Sequence, residues 1–209
     1  MKVGIIGYGE LGKQLLLHLQ QQEKNIEAIL FDDNLAAGSA TIFPFRAFSE
    51  DRFSDLSFYI GLGYKRLAER KKVHHSLLSL NRKTPSFIHP SSYLNATAVI
   101  HKSVVIYPMC LIDKNVVLNN GSFLNNGVVI SHDTVIGECN FLSPGVIVSG
   151  FVKTGDSCFI GAGSVIVNNI TIGNNVVIGA GSVITKDIPD NSTVIGNPMR
   201  FLEKPLKLV

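Results

Sequence analysis

The residues of this chain best suited to acid–base chemistry stand side by side in the stretch ISHDTV, as His132 and Asp133. A histidine titrates near neutrality and can take a proton from a nucleophile as it attacks. An adjacent carboxylate can accept a hydrogen bond from the other ring nitrogen, fixing the tautomer and raising basicity. A second constellation opens the chain: GYGELG, with Gly7, Gly9 and Gly12, follows an apolar run and precedes a helical pattern. In that context small residues let the backbone approach a phosphate, and the helix N-terminus attracts anions. The next apolar run ends in Asp32 and Asp33, where a carboxylate could accept hydrogen bonds from a ribose or other sugar. A third ends in Gly61 and Gly63. Each has a plainer reading: a ligand-free strand–helix turn for the glycines, a solvated corner side chain for His132.

The elements that position these groups are of two kinds. From Ile88 to Ile184, every sixth residue is aliphatic except Thr154. Two residues after each aliphatic stand turn-like side chains such as Pro90, Pro108, Asn120, Asn126, Pro144 and Asn174, read as the corners. A short strand, a corner and another strand at period six is a parallel β-helix, with three hexads per triangular coil and a little over five coils. His132 is the histidine that falls on a corner, where a side chain can leave the core. Gly150 follows it by eighteen residues, one full coil, and so stacks beside it as a candidate oxyanion donor.

Before Ile88 the pattern changes. Lys2–Ile6, Ile26–Phe31 and Leu56–Ile60 read as strands, and Glu10–Gln22 and Tyr64 to about Leu80 as helices. This is a βαβ…βα parallel unit. Three strands suit one mononucleotide rather than NAD, whose fold needs two halves. Glu10 at the start of the first helix would repel a diphosphate unless it points away. Thr84-Pro85 breaks the second helix, so the expected domains are 1–84, an α/β Rossmann-like nucleotide-binding unit, and 85–209, an all-β helix.

The net charge of +3, with 17% charged residues, argues against a nucleic-acid binder. The start MKVGIIGYGE carries no signal-peptide cleavage pattern, and no stretch is long and apolar enough to span a bilayer. Three cysteines without a CxxC suit a reducing cytoplasm. Cys110 and Cys158 share a repeat phase, which favours inward packing.

The [LIV]-G-x-x-[STAV]-x hexads resemble the left-handed β-helix of hexapeptide acyltransferases. Taken with the GxGxxG turn, FDDN (Phe31–Asn34), YIGLGYKRL (Tyr59–Leu67), IHPSS (Ile88–Ser92), LNNGVVISHD (Leu124–Asp133), FIGAGS (Phe159–Ser164) and VIGNPMR (Val194–Arg200), the chain resembles sugar acyltransferases of the sialic acid O-acetyltransferase type. That group includes N-acetyltransferases acting on UDP- or dTDP-linked 4-amino-4,6-dideoxy sugars. The resemblance implies the left-handed turn, a homotrimer with active sites between subunits, and acetyl-CoA as cosubstrate without a metal. It implies His132 and Asp133 as the catalytic pair, and CoA beside Gly150, Ala162, Gly163, Lys186 and Arg200. A sugar contact from Asn125 and a nucleotide over Gly7, Gly9, Asp32, Asp33, Gly61 and Gly63 follow in the same way. Two positions depart from the bacillosamine type: Phe141, where a second histidine often stands, and Glu10-Leu11, where the glycine turn often carries a histidine.

N-acetylation of a nucleotide-linked amino sugar is therefore the leading expectation, and O-acetylation of a sialic acid-type sugar the alternative. A three-histidine zinc hydratase is disfavoured because His89 and His101 differ in repeat phase from His132. A non-catalytic nucleotide-sugar scaffold would tolerate loss of His132.

Overall fold

The structure, a computed structural model, describes residues 1–35 and 40–203. The chain divides into two compact units, Met1–Ser86 and Phe87–Val209.

The first unit is a parallel sheet built from β1 (Lys2–Ile6), β2 (Glu27–Phe31), β3 (Ile42–Phe43) and β4 (Ser57–Ile60), in the order β3-β2-β1-β4. The sheet thus has four strands, where the sequence suggested three. The extra one, β3, is two residues long, too short to carry a periodic signal, and it pairs with Leu30 and Phe31. Helix α1 (Glu10–Gln22) follows β1 and buries Gly12, Leu15, Leu16 and Leu19 on one stripe. Helix α2 (Leu67–Ser79) follows β4 after a 3-10 turn at Tyr64–Arg66. Two further 3-10 turns, Phe45–Ser49 and Asp51–Phe53, occupy the connection from β3 to β4. Phe31 anchors the core of this unit, with Phe53 edge-on at 5.0 Å and Phe58 at 5.9 Å.

The second unit is a parallel β-helix. Seventeen two-residue strands, from Phe87–Ile88 to Val183–Ile184, fall into three parallel sheets. From Phe87–Ile88 to Val165–Ile166, each strand pairs with the strand eighteen residues on, as Ile130 does with Val148 and Leu124 with Leu142. The repeat aliphatic is the second residue of each strand and points inward. Ile112, Ile130, Val148, Ile166 and Ile184 form one wholly buried column. Each such side chain contributes roughly 1.5–3 kcal/mol by leaving water, and strands this short persist because neighbouring coils stack on them.

At the corners the left-handed backbone falls three residues after the aliphatic, directly after the turn-like residue that marks the corner. Asn115, Gly127, Asp133, Gly145, Phe151, Gly163 and Asn175 all have φ between 55° and 68°. The preceding position suits Pro108 and Pro144 because proline fixes a negative φ, and Pro followed by Gly is a turn signature in itself.

Thr154 breaks the aliphatic column for a reason inside the prism. Asn140 is fully buried, and its Nδ2 donates to Thr154 Oγ1 at 2.7 Å and to the Gly155 carbonyl at 2.9 Å. Its Oδ1 accepts the Cys158 N–H at 2.7 Å, while Thr154 Oγ1 also accepts the Gly137 N–H at 3.0 Å. An aliphatic residue would leave this buried amide short of a partner. Cys110 and Cys158 pack inward as their phase implied, Cys139 is buried too, and burial pushes the Cys158 thiol up to about 11. Among the described residues no helix is long and apolar enough to cross a membrane.

Candidate active site

His132 and Asp133 form the corner between the strands Val129–Ile130 and Val135–Ile136. Asp133 takes the left-handed conformation, φ 59°, which aspartate tolerates better than most residues. This turns its carboxylate back to the ring before it, and Asp133 Oδ2 lies 3.0 Å from His132 Nδ1. With a carboxylate at Nδ1, the neutral ring carries its proton there, and Nε2 is left as the basic nitrogen. The imidazole is 37% exposed, open enough to meet a substrate.

The coils on either side complete the corner. On the preceding coil, Asn115 Nδ2 donates to Asp133 Oδ1 at 2.9 Å. That bond first, then the one from His132, with the charges of Lys114 and His132, outweigh desolvation and hold the Asp133 carboxyl below the usual carboxylate range. On the following coil, Gly150 lies against the ring: a Cβ there would come 2.7 Å from His132 Cε1 and 3.0 Å from Nε2. The Gly150 N–H has no hydrogen-bond partner among the described residues. Next to it, Phe151 meets the imidazole at a near-perpendicular 84°, ring centroids 5.1 Å apart. The sequence reading passed over Asn115 and Phe151, although both are stacked on Asp133 at the eighteen-residue spacing that identified Gly150.

The same spacing sorts the other candidate residues. Lys186 lies three coils from His132 in the same corner column, about 14 Å along the axis at the ordinary strand spacing. It is exposed, and its Nζ sits 5.5 Å from the centroid of the Phe201 ring. Phe201 and Arg200 form a short strand antiparallel to Thr193–Ile195, so Lys186 and the strand bearing Arg200 adjoin. Ala162 and Gly163 stand at a different corner, after Phe159–Ile160, in a ridge with Gly127, Gly145 and Gly181 where the backbone faces open space. Asn125 precedes that same corner, its Oδ1 accepting the Asn126 N–H at 2.8 Å. Within one chain these three residues are a side of the prism away from His132. Phe141 faces neither corner: it is buried and stacks on Phe123 at 4.9 Å.

In the first unit the glycine turn is a packing device and an opening at once. Gly7 has φ +83°, and a Cβ on either Gly12 or Gly61 would collide with its carbonyl. Gly9 differs, since a Cβ there would meet nothing within 4 Å; Gly63 would meet only Leu11 Cδ2, at 3.9 Å. Glu10 turns away to pair with Lys13 at 2.8 Å, its side chain 90% exposed. Asp32 Oδ2 accepts the Tyr8 N–H at 2.6 Å, and its Oδ1 accepts both the N–H and Nδ2 of Asn34. Partial burial acts to raise the Asp32 carboxyl, but these bonds and the charge of Arg66 outweigh it and bring it below the ordinary value. Asp33 Oδ1 accepts the Phe45 N–H at 2.8 Å. Both aspartates thus hold the loops around the turn. Among the described residues no three His, Cys, Asp or Glu side chains gather closely enough to hold a metal ion.

The profile of the bacterial transferase hexapeptide (six repeats) matches residues 151–186. No curated protein sequence matches the chain. Among solved structures, it is similar to the acetyltransferase domain of PglB from Neisseria gonorrhoeae, at 27% identity and a TM-score of 0.85, over 96% of this chain and 99% of that one. The same domain in complex with acetyl coenzyme A gives 26% and 0.84, over 96% and 98%. PerB from Caulobacter crescentus, in complex with CoA and GDP-perosamine, gives 25% and 0.86, over 97% of each chain. Repeat, fold and these likenesses together make the chain an acyltransferase built on a left-handed parallel β-helix of hexapeptide repeats, with a small Rossmann-like unit preceding it in the sequence.

Proposed function

We propose that the chain is an acetyl-CoA-dependent N-acetyltransferase acting on a nucleotide-linked 4-amino-4,6-dideoxy sugar, with His132 as general base. The observation that carries this reading is the His132–Asp133 pair at a prism corner, packed on Gly150, whose N–H has no partner among the described residues. A neutral sugar amine attacks the thioester carbonyl while His132 Nε2 takes its proton, which relieves the positive charge that builds on nitrogen as the C–N bond forms. The oxyanion of the tetrahedral intermediate accepts a hydrogen bond from the Gly150 N–H. The C–S bond then breaks, and the imidazolium returns its proton to the departing thiolate. Asp133 keeps the ring oriented and stabilises the imidazolium.

The relatives support the choice of substrates: one solved structure is of a complex with acetyl coenzyme A, another of a complex with CoA and GDP-perosamine. Lys186 and Arg200 suit the phosphates of CoA. Gly7, Gly9, Gly61 and Gly63, with Asp32 and Asp33, suit the nucleotide of the acceptor, in a unit that we take as Met1–Thr84. Gly9 speaks for this most directly, because packing alone does not demand a glycine there.

A trimer with active sites between subunits belongs to the same reading. Tyr93, Leu111, Val129, Ile147, Val165 and Val183 start the strands of the prism face that ends in His132 and stack as an apolar column. Tyr93, Leu111 and Ile147 are 59%, 41% and 41% exposed, a surface that a soluble chain ordinarily covers. A neighbouring copy on this face would bring its own Asn125 and its Ala162-Gly163 ridge toward His132.

The test is thiol release from acetyl-CoA, with product mass, across UDP-, dTDP- and GDP-linked 4-amino sugars and free sialic acid. Gain of one acetyl group on an amino sugar, lost in His132→Ala, is the expected result. Turnover of sialic acid alone would replace this reading with O-acetylation, and full activity of His132→Ala would remove the general base.

A further inference from the structure

On the reading of His132 as general base, we infer that Asn115 is a positioning residue for it, one coil away, locking the Asp133 carboxylate so that Oδ2 faces His132 Nδ1. The Asp133 side chain is 29% exposed, so water competes for it. A carboxylate held at one oxygen alone can turn about its last torsion and release the ring. Here it is held at both: Oδ1 takes the Asn115 amide at 2.9 Å, and Oδ2 lies 3.0 Å from the imidazole.

Asn115 is itself fixed. Its φ is 57°, a left-handed value that asparagine tolerates. Its N–H donates to Thr97 Oγ1 at 2.8 Å, and that hydroxyl donates to Asn95 Oδ1 at 3.0 Å. A hydrogen-bonded column therefore climbs from the first coils and ends on the imidazole.

A second effect is chemical. The Asn115 donor lowers the proton affinity of the Asp133 carboxylate. When Nε2 takes the acceptor's proton, the Nδ1 proton then stays on the ring rather than crossing to Asp133. The charged groups around the pair are Lys114, which acts on Asp133, and Asp113, whose Oδ1 accepts the Lys114 N–H. The following coil presents Gly150 and Phe151, neither titratable.

A plainer role is possible for such an amide. Asn175 Nδ2 donates to Asn191 Oδ1 at 3.0 Å at another corner, where the bond only ties two turns together. The two roles separate on three variants. Asn115→Gly keeps the left-handed backbone and removes the amide, Asn175→Gly does the same at the other corner, and Asn115→Asp replaces the donor with a second carboxylate.

The expected result for Asn115→Gly is a fall in kcat of about tenfold, part of what general-base catalysis supplies, with acceptor KM within about twofold. Nitrogen NMR of the His132 ring, assigned with His132→Gln, should then lose the predominance of the Nδ1–H tautomer. In Asn115→Asp the added charge should move the acid limb of the kcat/KM profile up by about one unit. Asn175→Gly should keep the parental kcat. A parental kcat and unchanged ring tautomer in Asn115→Gly, or an unmoved acid limb in Asn115→Asp, would overturn the inference. The ring NMR needs no substrate, so it decides the role of Asn115 even if the chain transfers no acetyl group, a result that would count against the transferase reading alone.

Discussion

Gly150 lies flat under the imidazole of His132, close enough that a methyl group on its α-carbon would stand 2.7 Å from Cε1. Gly150→Ala must therefore tilt His132 off Asp133 while the prism core below stays intact. The expected result is a loss of kcat of about a hundredfold or more, the scale of a lost oxyanion donor and a misdirected base. Circular dichroism and melting temperature should stay near those of the parent. A variant with full activity would remove Gly150 from the site.

Asp133 makes stability depend on acid. Its folded carboxyl sits below the ordinary value, so its contribution is complete above the unfolded value of about 3.9 and is lost as pH falls through the lower folded value. Asp190, lowered by its bonds with Asn174, acts in the same direction. Melting curves of the parent and of Asp133→Asn should be separated at neutral pH and converge below about pH 4. A constant gap down to pH 2 would mean that ionisation of Asp133 does not support the fold.

Thr154→Val tests the inside of the prism. It restores the aliphatic column and raises hydrophobicity, yet it removes the hydroxyl that serves Asn140 and the Gly137 N–H. The expected change is a destabilisation of about 1–3 kcal/mol, the cost of a buried polar group left short of a partner. Denaturant unfolding measures it, and Thr154→Val at parental stability would show that Asn140 finds another acceptor.

These residues also mark how far the sequence could be read. The coil period was legible because an inward position in a prism admits little but an aliphatic side chain, and the one exception, Thr154, needed the buried Asn140 to explain it. The corners were legible two residues after each aliphatic, but which corner residue takes the left-handed backbone was not, because turn-like types occupy both positions, as in Asn120-Gly121 and Pro144-Gly145. The strand Ile42–Phe43 was invisible because two residues have no period. Resemblance placed Ala162 and Gly163 along CoA; within one chain they stand at another corner from His132, since only multiples of eighteen return to the same one. Asn115 and Phe151 obey that rule and were within reach of it. The roles of Asp32 and Asp33 as loop ties were not, since their partners, Tyr8 and Phe45, come from other loops.

The apolar column beside His132 makes the assembly testable. Ile147 is 41% exposed and stacks between Val129 and Val165. Ile147→Glu puts a charge into the face that a neighbouring copy would cover and leaves the inward column untouched. Light scattering should find trimers of the parent and smaller species of the variant, with activity falling in step with the trimer. A parent that is monomeric at micromolar concentration, or a trimeric variant, would exclude this face as the interface.

Gly9 and Gly12 separate the two duties of the glycine turn. At Gly12 a Cβ would run into the Gly7 carbonyl, so Gly12→Ala forces β1 and α1 apart and should lower the melting temperature measurably. At Gly9 a Cβ meets nothing within 4 Å, and the backbone φ of −69° is open to any residue. Gly9→Ala should therefore fold like the parent, and alanine in place of a flexible residue at a permitted φ/ψ stabilises by about 0.4–1 kcal/mol. If a phosphate of the acceptor approaches this backbone, the same methyl stands in its path. The expected result is a rise in acceptor KM of about tenfold with acetyl-CoA KM unchanged, as when binding common to ground and transition states is lost. Unchanged acceptor kinetics in Gly9→Ala would reduce the turn to a strand–helix connection, and the nucleotide would have to be sought elsewhere on the chain.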